Sequence, residues 1–307
     1  MNIIYLLKKN IWAIILLSIA LAFWWPSFGL FLQPSTIYLL MLLMLFSVLD
    51  MSYRKVFKEL KHDFSKIILT LVIVHLAGPI IIWFFKPWLD ASLFLGLILA
   101  TSINAGISIV FLAKLYGGSS SQSLVVAALS QILSPITVPS VVFMFASTSL
   151  QIDPMSMALT IAKLVLIPIA LSMLVRRSSF YPGLVKISSG VNIVLLFLLI
   201  TAIIAPLRML ILNNLQQAGW LALLVALVLL VDFGLGFLVG KNRGERVTFG
   251  ISASYKNFVL ANVLAMTLFG PLVALPAATY AVLSNLFLIP LQFLCCSPRG
   301  EAGKAKK

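Results

Sequence analysis

Long apolar runs, separated by short polar or charged segments, occupy most of the chain. They predict ten membrane-spanning helices, at roughly 11–32, 36–52, 66–86, 91–115, 121–148, 154–175, 187–207, 217–240, 247–269 and 272–296. A helix needs about 20 mostly apolar residues to cross the hydrocarbon core of a bilayer. The segments left between these runs are too short to form a soluble domain. The pattern therefore predicts an all-α integral membrane protein.

The ten predicted spans divide into two sets of five, which we place at about 1–150 and 151–298. Because each half has an odd number of spans, the second half inserts upside down relative to the first, as in many secondary transporters. The polar stretch TSINAG at 101–106 interrupts span 4, and SASYKN at 252–257 interrupts span 9. We therefore expect two inverted five-helix repeats whose penultimate helices are both discontinuous.

Composition and charge support the membrane assignment and indicate an orientation. Hydrophobic residues make up 62% of the chain and charged residues 10%, and the net charge is +14. The basic residues are scattered between apolar blocks, so we expect no nucleic-acid partner. With a cytoplasmic N-terminus, eighteen of the 22 Lys and Arg fall on the cytoplasmic side and only Lys86 and Arg208 on the other. This bias predicts a protein of the plasma or inner membrane, with both termini and the basic tail 299–307 in the cytoplasm.

The two other basic residues, Lys163 and Lys256, lie inside predicted spans, and Lys256 falls within the interruption of span 9. An ionised side chain at membrane depth costs at least about 2.5–3.5 kcal/mol on insertion scales, and is normally paired, neutral or functional. Asp232, in the middle of span 8, is the candidate partner of Lys256. The pair would be either a fixed link between spans 8 and 9 or part of a functional site. Lys163 is a competing partner for Asp232.

Two polar interruptions at equivalent positions indicate a central binding site. Unwound backbone at membrane depth is tolerated only where it lines a cavity or is buried in protein. The alternative is that the small residues only allow close helix packing. In a central site, half-helix N-termini attract an anion. The residues predicted to bind substrate are Ser102, Asn104, Ser252, Ser254, Asn257 and Asn285, and those predicted to couple an ion are Lys256, Asp232, His75, Ser130 and Gln131.

Other chemistry has less support in the sequence. Cys295 and Cys296 are adjacent and have no metal-ligand partners, so we expect neither a cofactor nor a metal. His75 is either hydrogen-bonded packing or a proton relay. An intramembrane aspartyl enzyme built on Asp50 and Asp232 is a remote alternative, because no Gly-x-Gly-Asp motif is present. A channel or a passive structural membrane protein is a third class.

Several short segments, in order along the chain, resemble the bile acid:sodium symporter family and its bacterial relatives. They are FSVLDMS at 46–52 with RKV at 54–56, GP at 78–79, FLAK at 111–114, LSPITVP at 133–139, LIP at 166–168 with RR at 176–177, GFLVG at 236–240, and KN at 256–257 with LA at 260–261. The resemblance implies a panel domain of helices 1, 2, 6 and 7 and a core domain of helices 3–5 and 8–10. It also implies that helices 4 and 9 cross in the core, and that an organic anion is carried with sodium by alternating access.

Of the sodium ligands of that family, this chain retains only the asparagine of span 9, Asn257. Gly106-Ile107 stand where the family has Ser-Asn in span 4, Ser252 and Lys256-Asn257 stand where it has Glu and Gln-Asn in span 9, and its span 3 glutamine falls near Val74 or His75. An ammonium is itself a cation, so we expect Lys256 to replace a coupling ion, either as a permanent internal cation or as a proton carrier. A sodium-dependent organic anion symporter with a remodelled ion site is the alternative.

Overall fold

The computed structural model describes residues 11–49, 53–147, 153–213 and 215–295. Apart from one isolated bridge, regular structure in these residues is helical, which confirms the all-α class. The α-helices are α1 Ile11–Trp24, α2 Pro26–Leu32, α3 Thr36–Val48, α4 Tyr53–His62, α5 Phe64–Val72, α6 Gly78–Phe84, α7 Ala91–Ser102, α8 Ile109–Leu115, α9 Ser120–Ala146, α10 Pro154–Val175, α11 Tyr181–Asn213, α12 Leu215–Val239, α13 Arg243–Ser254, α14 Phe258–Leu268 and α15 Pro271–Cys295. Asp50, Cys296 and the 299–307 tail lie outside the described residues.

Six helical stretches in the described part of the chain are long and apolar enough to cross a membrane. They are Pro26–Val48, Phe64–Phe84, Ser120–Ala146, Pro154–Val175, Tyr181–Asn213 and Leu215–Val239. Shorter apolar helices cover Ala13–Trp24, Ala91–Ser102, Phe258–Leu268 and Pro271–Phe287. The protein is therefore a multi-pass membrane protein.

The predicted boundary between the first two spans is wrong. The sequence placed it at 33–35, but the chain leaves the helix at Trp25, where φ is −127° and ψ is 70°. Pro26 then opens a helical stretch that continues through the 3₁₀ turn Gln33–Ser35 to Val48. A proline disfavours the α conformation in the residue before it and suits the first position of the next helix. The Trp25–Pro26 step therefore ends the first helix.

Both predicted interruptions are present. The helix of span 4 ends at Ser102 and resumes at Ile109, and the helix of span 9 ends at Ser254 and resumes at Phe258. No proline lies within either gap. The breaks therefore depend on tertiary contacts that satisfy the unwound backbone, because lipid offers no hydrogen-bond partners.

The two unwound segments satisfy each other's backbone. They run antiparallel and form an isolated bridge, in which the N–H of Gly106 donates to the carbonyl of Tyr255 at 3.0 Å and the N–H of Asn257 donates to that of Asn104 at 2.8 Å. A Cβ on Gly106 would lie only 3.1 Å from the carbonyl oxygen of Lys256. A glycine at this position therefore allows the segments to approach closely.

Helix α12 packs tightly along α13 because glycines remove side chains from both surfaces. A Cβ on Gly236 would lie 2.4 Å from the carbonyl oxygen of Phe249, and a Cβ on Gly250 would lie 2.9 Å from the Phe233 ring. Spacings this short leave no room for a methyl group. This close approach brings Asp232 of α12 against the interruption of span 9.

A polar network joins the ends of three helices on the side predicted to be cytoplasmic. The amide of Gln122 donates to Asp63 at 2.7 Å, and the ammonium of Lys66 lies 3.0 Å from Asp63 and 2.9 Å from Glu245. Burial raises the pKa of Asp63, but hydrogen bonds from Gln122, Lys66 and His62 outweigh it and hold the pKa below its ordinary value. The network therefore ties the starts of spans 3, 5 and 9 together.

Candidate functional site

A buried ion pair lies beside the interruption of span 9. The ammonium of Lys256 is 3.1 Å from a carboxylate oxygen of Asp232, and both side chains have no exposed surface. The ammonium also donates a hydrogen bond to the carbonyl of Val74. Lys163 is exposed on α10, so the competing pairing with Asp232 is wrong. Lys256 therefore holds its charge between spans 3, 8 and 9.

A π-helical segment makes the carbonyl of Val74 available to Lys256. Between α5 and α6 the helix widens over Ile73–Ala77, and such π-bulges are often found at functional sites. An i→i+5 pattern assigns the Val74 carbonyl to the N–H of residue 79, but Pro79 has none. The position of Pro79, five residues after Val74, was the signal for this acceptor. The sequence-based prediction did not use it.

His75, the next residue of the π-segment, contacts the interruption of span 4. Its Nδ1 donates to the carbonyl of Ser102 at 2.7 Å, because a carbonyl can only accept. The ring is 5% exposed, and Nε2 has no partner among the described residues. His75 thus satisfies a carbonyl in the last turn of α7, which agrees with hydrogen-bonded packing; its role as a proton relay stays a prediction.

Ser130 and Gln131 of α9 support the interruption of span 4 and the neighbouring span 2. The Ser130 hydroxyl accepts from the N–H of Ala105 at 3.3 Å, while the Gln131 amide lies 3.8 Å from the sulfur of Met44. The side-chain oxygen of Asn104 is buried and has no partner in the described part of the chain. These polar groups surround the crossing point, defined as the point where the two unwound segments pair at Ala105 and Lys256.

A cavity of about 480 Å³ reaches the same crossing point. Residues of spans 2 and 7 form one wall, and the two interruptions, Lys256 included, form the other together with the helical turns that follow them. Much of the lining is apolar, including Met44, Ile107, Phe111 and Phe258. The polar lining includes Ser47, Ser108, Lys114, Ser188, Asn192 and Asn257. A cavity with an apolar wall and a few polar groups suits a small amphipathic ligand.

The first turn of α14 lies against this cavity. Asn257 is the N-cap, and its side-chain oxygen accepts from the N–H of Leu260 at 3.2 Å. Asn257, Phe258 and Val259 all border the cavity. Because a helix N-terminus carries partial positive charge, this end of the cavity favours a negative group.

Most of the predicted substrate residues lie behind the cavity wall. Of the six, only Asn257 borders the cavity; Ser102 and Asn104 are fully buried at the crossing point. Ser252 donates to the hydroxyl of Ser123 at 3.3 Å. The remaining two also have local partners, since Ser254 donates one turn back along its own helix and Asn285 accepts from the Tyr255 hydroxyl at 2.9 Å.

Several polar residues of the cavity were not singled out in the sequence. Ser188 and Asn192 of α11 both border it, and their i, i+4 spacing places them on one helix face. A pair of polar residues at that spacing in a mostly apolar span was the available signal. Lys114, exposed at the end of α8, was counted as a topology signal and as part of the FLAK segment, but not as a site residue. It lines the cavity, and its ammonium has no ionic partner among the described residues.

The fold and this cavity define a class of protein. Interrupted helices that meet inside a multi-pass bundle and border a cavity are typical of secondary transporters. Residues 38–218 match the sequence profile of the Sodium Bile acid symporter family. The chain belongs to this family, which confirms the resemblance of its short motifs.

Two curated proteins of Bacillus subtilis (strain 168) are similar to this chain. The uncharacterized sodium-dependent transporter YocS is 26% identical over 246 residues, which cover 75% of this chain and 73% of that protein. The uncharacterized protein YbaS is 27% identical over 238 residues, or 72% of this chain and 76% of its own length. The family is one of transporters, so the protein is a transporter and not an enzyme. The aspartyl-enzyme alternative is wrong, and Asp232 is the ionic partner of Lys256.

Proposed function

We propose that this protein is a secondary transporter that carries a small organic anion by alternating access. The observation that supports it best is the cavity of about 480 Å³, which ends where the two interrupted helices meet. The first turn of α14 and the ammonium of Lys114 give this cavity positive potential, while its apolar wall suits a hydrocarbon body. Family membership supports the same conclusion.

The positions of the cavity and the interruptions support a proposal for the wider architecture. We infer ten transmembrane helices in two inverted repeats, with spans 4 and 9 crossing in a core domain of spans 3–5 and 8–10. Spans 1, 2, 6 and 7 form the panel domain. In support, the cavity lies between residues of spans 2 and 7 and residues of spans 4 and 9. Rocking of the core against the panel would expose this cavity to each side in turn.

The orientation proposed from the sequence makes the described state inward-facing. The bias of Lys and Arg supports cytoplasmic N- and C-termini in the plasma or inner membrane. Lys114 belongs to a loop that this bias assigns to the cytoplasm, and it borders the cavity as an exposed residue. The cavity therefore opens toward the cytoplasm, and a counterpart opening to the outside belongs to the other state of the cycle.

In coupling, we propose that Lys256 stands in place of a metal ion, so that transport does not depend strictly on sodium. The support is its position: the ammonium is fully buried between Asp232 and Val74, and neither partner borders the cavity. The alternative, a sodium-dependent symporter with a remodelled ion site, is favoured by one observation. The relative YocS is named a sodium-dependent transporter.

Transport by the purified protein in liposomes tests these proposals. A thermal-shift screen of carboxylates and sulfonates first identifies a stabilising ligand, because ligands of the folded state raise Tm by mass action. Saturable counterflow of that ligand is expected, with equal rates in sodium and in choline buffer. A flux that does not saturate and shows no counterflow contradicts the transporter and supports a channel. Strict sodium dependence contradicts the role of Lys256 and supports the alternative.

A variant that fills the cavity checks that this site carries the transport. Ser108→Trp places a large ring in the cavity and is expected to abolish counterflow while the protein stays folded. Thr160→Trp, at an exposed hydroxyl on the surface of α10, is the matched control and is expected to retain it. Equal activity of the two variants would mean that substrate takes another route.

A further inference from the structure

We propose that Asp232 and the carbonyl of Val74 form a binding site for a monovalent cation of the alkylammonium type, and that the ammonium of Lys256 is its tethered occupant. The proposal deepens the coupling role proposed above, on which its transport consequence rests. The binding site itself rests on the geometry of Asp232, Val74 and Lys256 alone.

Two oxygen ligands come together at this point from separate elements. A carboxylate oxygen of Asp232 on α12 lies 3.1 Å from the ammonium, and the carbonyl of Val74 in the π-segment accepts a second bond from it. Pro79 leaves the Val74 carbonyl without its i→i+5 donor. A negative charge and a free carbonyl form an acceptor pair for a cation even without the lysine that fills it.

Neighbouring titratable groups do not supply the balancing charge. His75 on the π-segment uses Nδ1 to bond the carbonyl of Ser102 at 2.7 Å. The hydroxyl of Tyr280 on α15 donates to the carbonyl of Ser254 at 2.6 Å. In the described residues, the only salt bridge of Asp232 is with Lys256. A buried carboxylate without a counter-ion is strongly destabilising. Removal of this ammonium therefore leaves a site at which binding of another cation is favourable.

A tethered cation has a consequence for transport. Lys256 lies in the unwound segment that borders the cavity, so its charge stays with the crossing point throughout the cycle. A free ion binds at such a site and leaves it again during the cycle, and the concentration gradient of that ion drives transport of the substrate. The Lys256 ammonium cannot leave, so the site remains loaded in every state without an external cation.

Substitution of Lys256 by Ala tests the site with a ligand of defined size. This change removes three methylene groups and the ammonium, which together have the shape of n-propylammonium. We expect Lys256→Ala to lower the Tm of the purified protein. We also expect n-propylammonium chloride to restore about half of that loss or more in a saturable manner. In the series from methyl- to pentylammonium, the optimum is expected at propyl.

Matched variants separate this site from general effects of amines. The double variant Lys256→Ala/Asp232→Asn should lose the response to propylammonium, and Lys163→Ala, which removes an exposed lysine of α10, should never show it. Propan-1-ol, the neutral analogue, should not substitute. The same Tm in Lys256→Ala with and without the amine overturns the proposal. So does an equal rise in the double variant or in Lys163→Ala.

Folding of the variant gives a second readout. If Lys256→Ala is not monodisperse after extraction, extraction in n-propylammonium chloride should recover monodisperse protein that propan-1-ol does not. If n-propylammonium chloride does not recover monodisperse protein either, the proposed site is overturned. These readouts need no transport, so their failure leaves the organic-anion transporter intact, and absent counterflow leaves the cation site intact.

Discussion

A carboxylate oxygen of Asp232 lies 3.1 Å from the ammonium of Lys256, and neither side chain has any exposed surface. The pair joins the middle of α12 to the unwound segment between α13 and α14. As a pair the two charges cancel, but each alone would be a net charge deep in the protein. Loss of one partner is therefore far more costly than loss of both.

We expect Asp232→Ala to reduce the free energy of unfolding by about 3–5 kcal/mol, because it leaves the ammonium of Lys256 without a counter-ion. The double variant Asp232→Asn/Lys256→Met should recover most of this loss, since no charge remains buried. Thermal unfolding of the two variants in the same detergent measures the difference. A double variant as unstable as Asp232→Ala would mean that the pair contributes packing and not charge balance.

Close packing of α12 on α13 makes a prediction with an internal control. Gly236→Ala places a methyl group 2.4 Å from the carbonyl oxygen of Phe249, whereas Gly234→Ala, two residues earlier, meets nothing within 4 Å. Overpacking of this kind costs about 1–3 kcal/mol. A lower Tm is expected for Gly236→Ala, and an unchanged or slightly higher one for Gly234→Ala. Equal values for the two variants would contradict this packing.

The network at the helix starts makes stability depend on pH. The pKa of Asp63 is held below its ordinary value of 3.8 by the hydrogen bonds that outweigh its burial. A carboxyl with a lowered pKa in the folded state stabilises above 3.8, and this contribution is lost as pH falls through the lowered value. In the Asp63→Asn variant, Tm should therefore fall less steeply as the pH is lowered below 3.8. An acid limb of identical slope in the variant would assign the fall to other carboxyl groups.

Lys114 is expected to attract the substrate anion without holding the fold. An exposed charge contributes about 0.5–1 kcal/mol, which corresponds to a two- to fivefold rise in the KM for anion uptake in Lys114→Gln. The effect should shrink at high salt, because salt screens exposed charges. Lys163→Gln, an exposed lysine on α10 that does not border the cavity, is the control and should keep its KM. A KM for Lys114→Gln equal to that of Lys163→Gln would exclude this steering role.

Much of the architecture could be predicted from the sequence because the bilayer imposes simple rules. The apolar runs located the helices, and the polar stretches at 101–106 and 252–257 located both interruptions. Sequence reasoning failed where the local signal was ambiguous. The polar triplet 33–35 was interpreted as a linker, although the break lies at Trp25, where a following proline is the stronger determinant.

Prediction of the site was less complete, because a polar residue in a span can face a cavity or a neighbouring helix. Ser252 and Ser254 lie in the stretch that ends at the interruption of span 9, but their hydroxyls bond within the protein. Asn192 was overlooked, but it borders the cavity. A polar residue has the same type and hydropathy whether it faces a cavity or a neighbouring helix. Neither property can therefore distinguish the two positions.

The sequence by itself determined that this is a multi-helix membrane protein with two interrupted spans and a lysine in one of them, since transfer to lipid depends on local composition. Only the tertiary structure decided which groups contact the ammonium of Lys256. It pairs Asp232 with Lys256 and not with Lys163, and it adds the carbonyl of Val74, 182 positions away from Lys256 along the chain. An ionic partner depends on distances of a few ångströms between helices, and those distances are set by packing, such as the contact of Gly236 with α13.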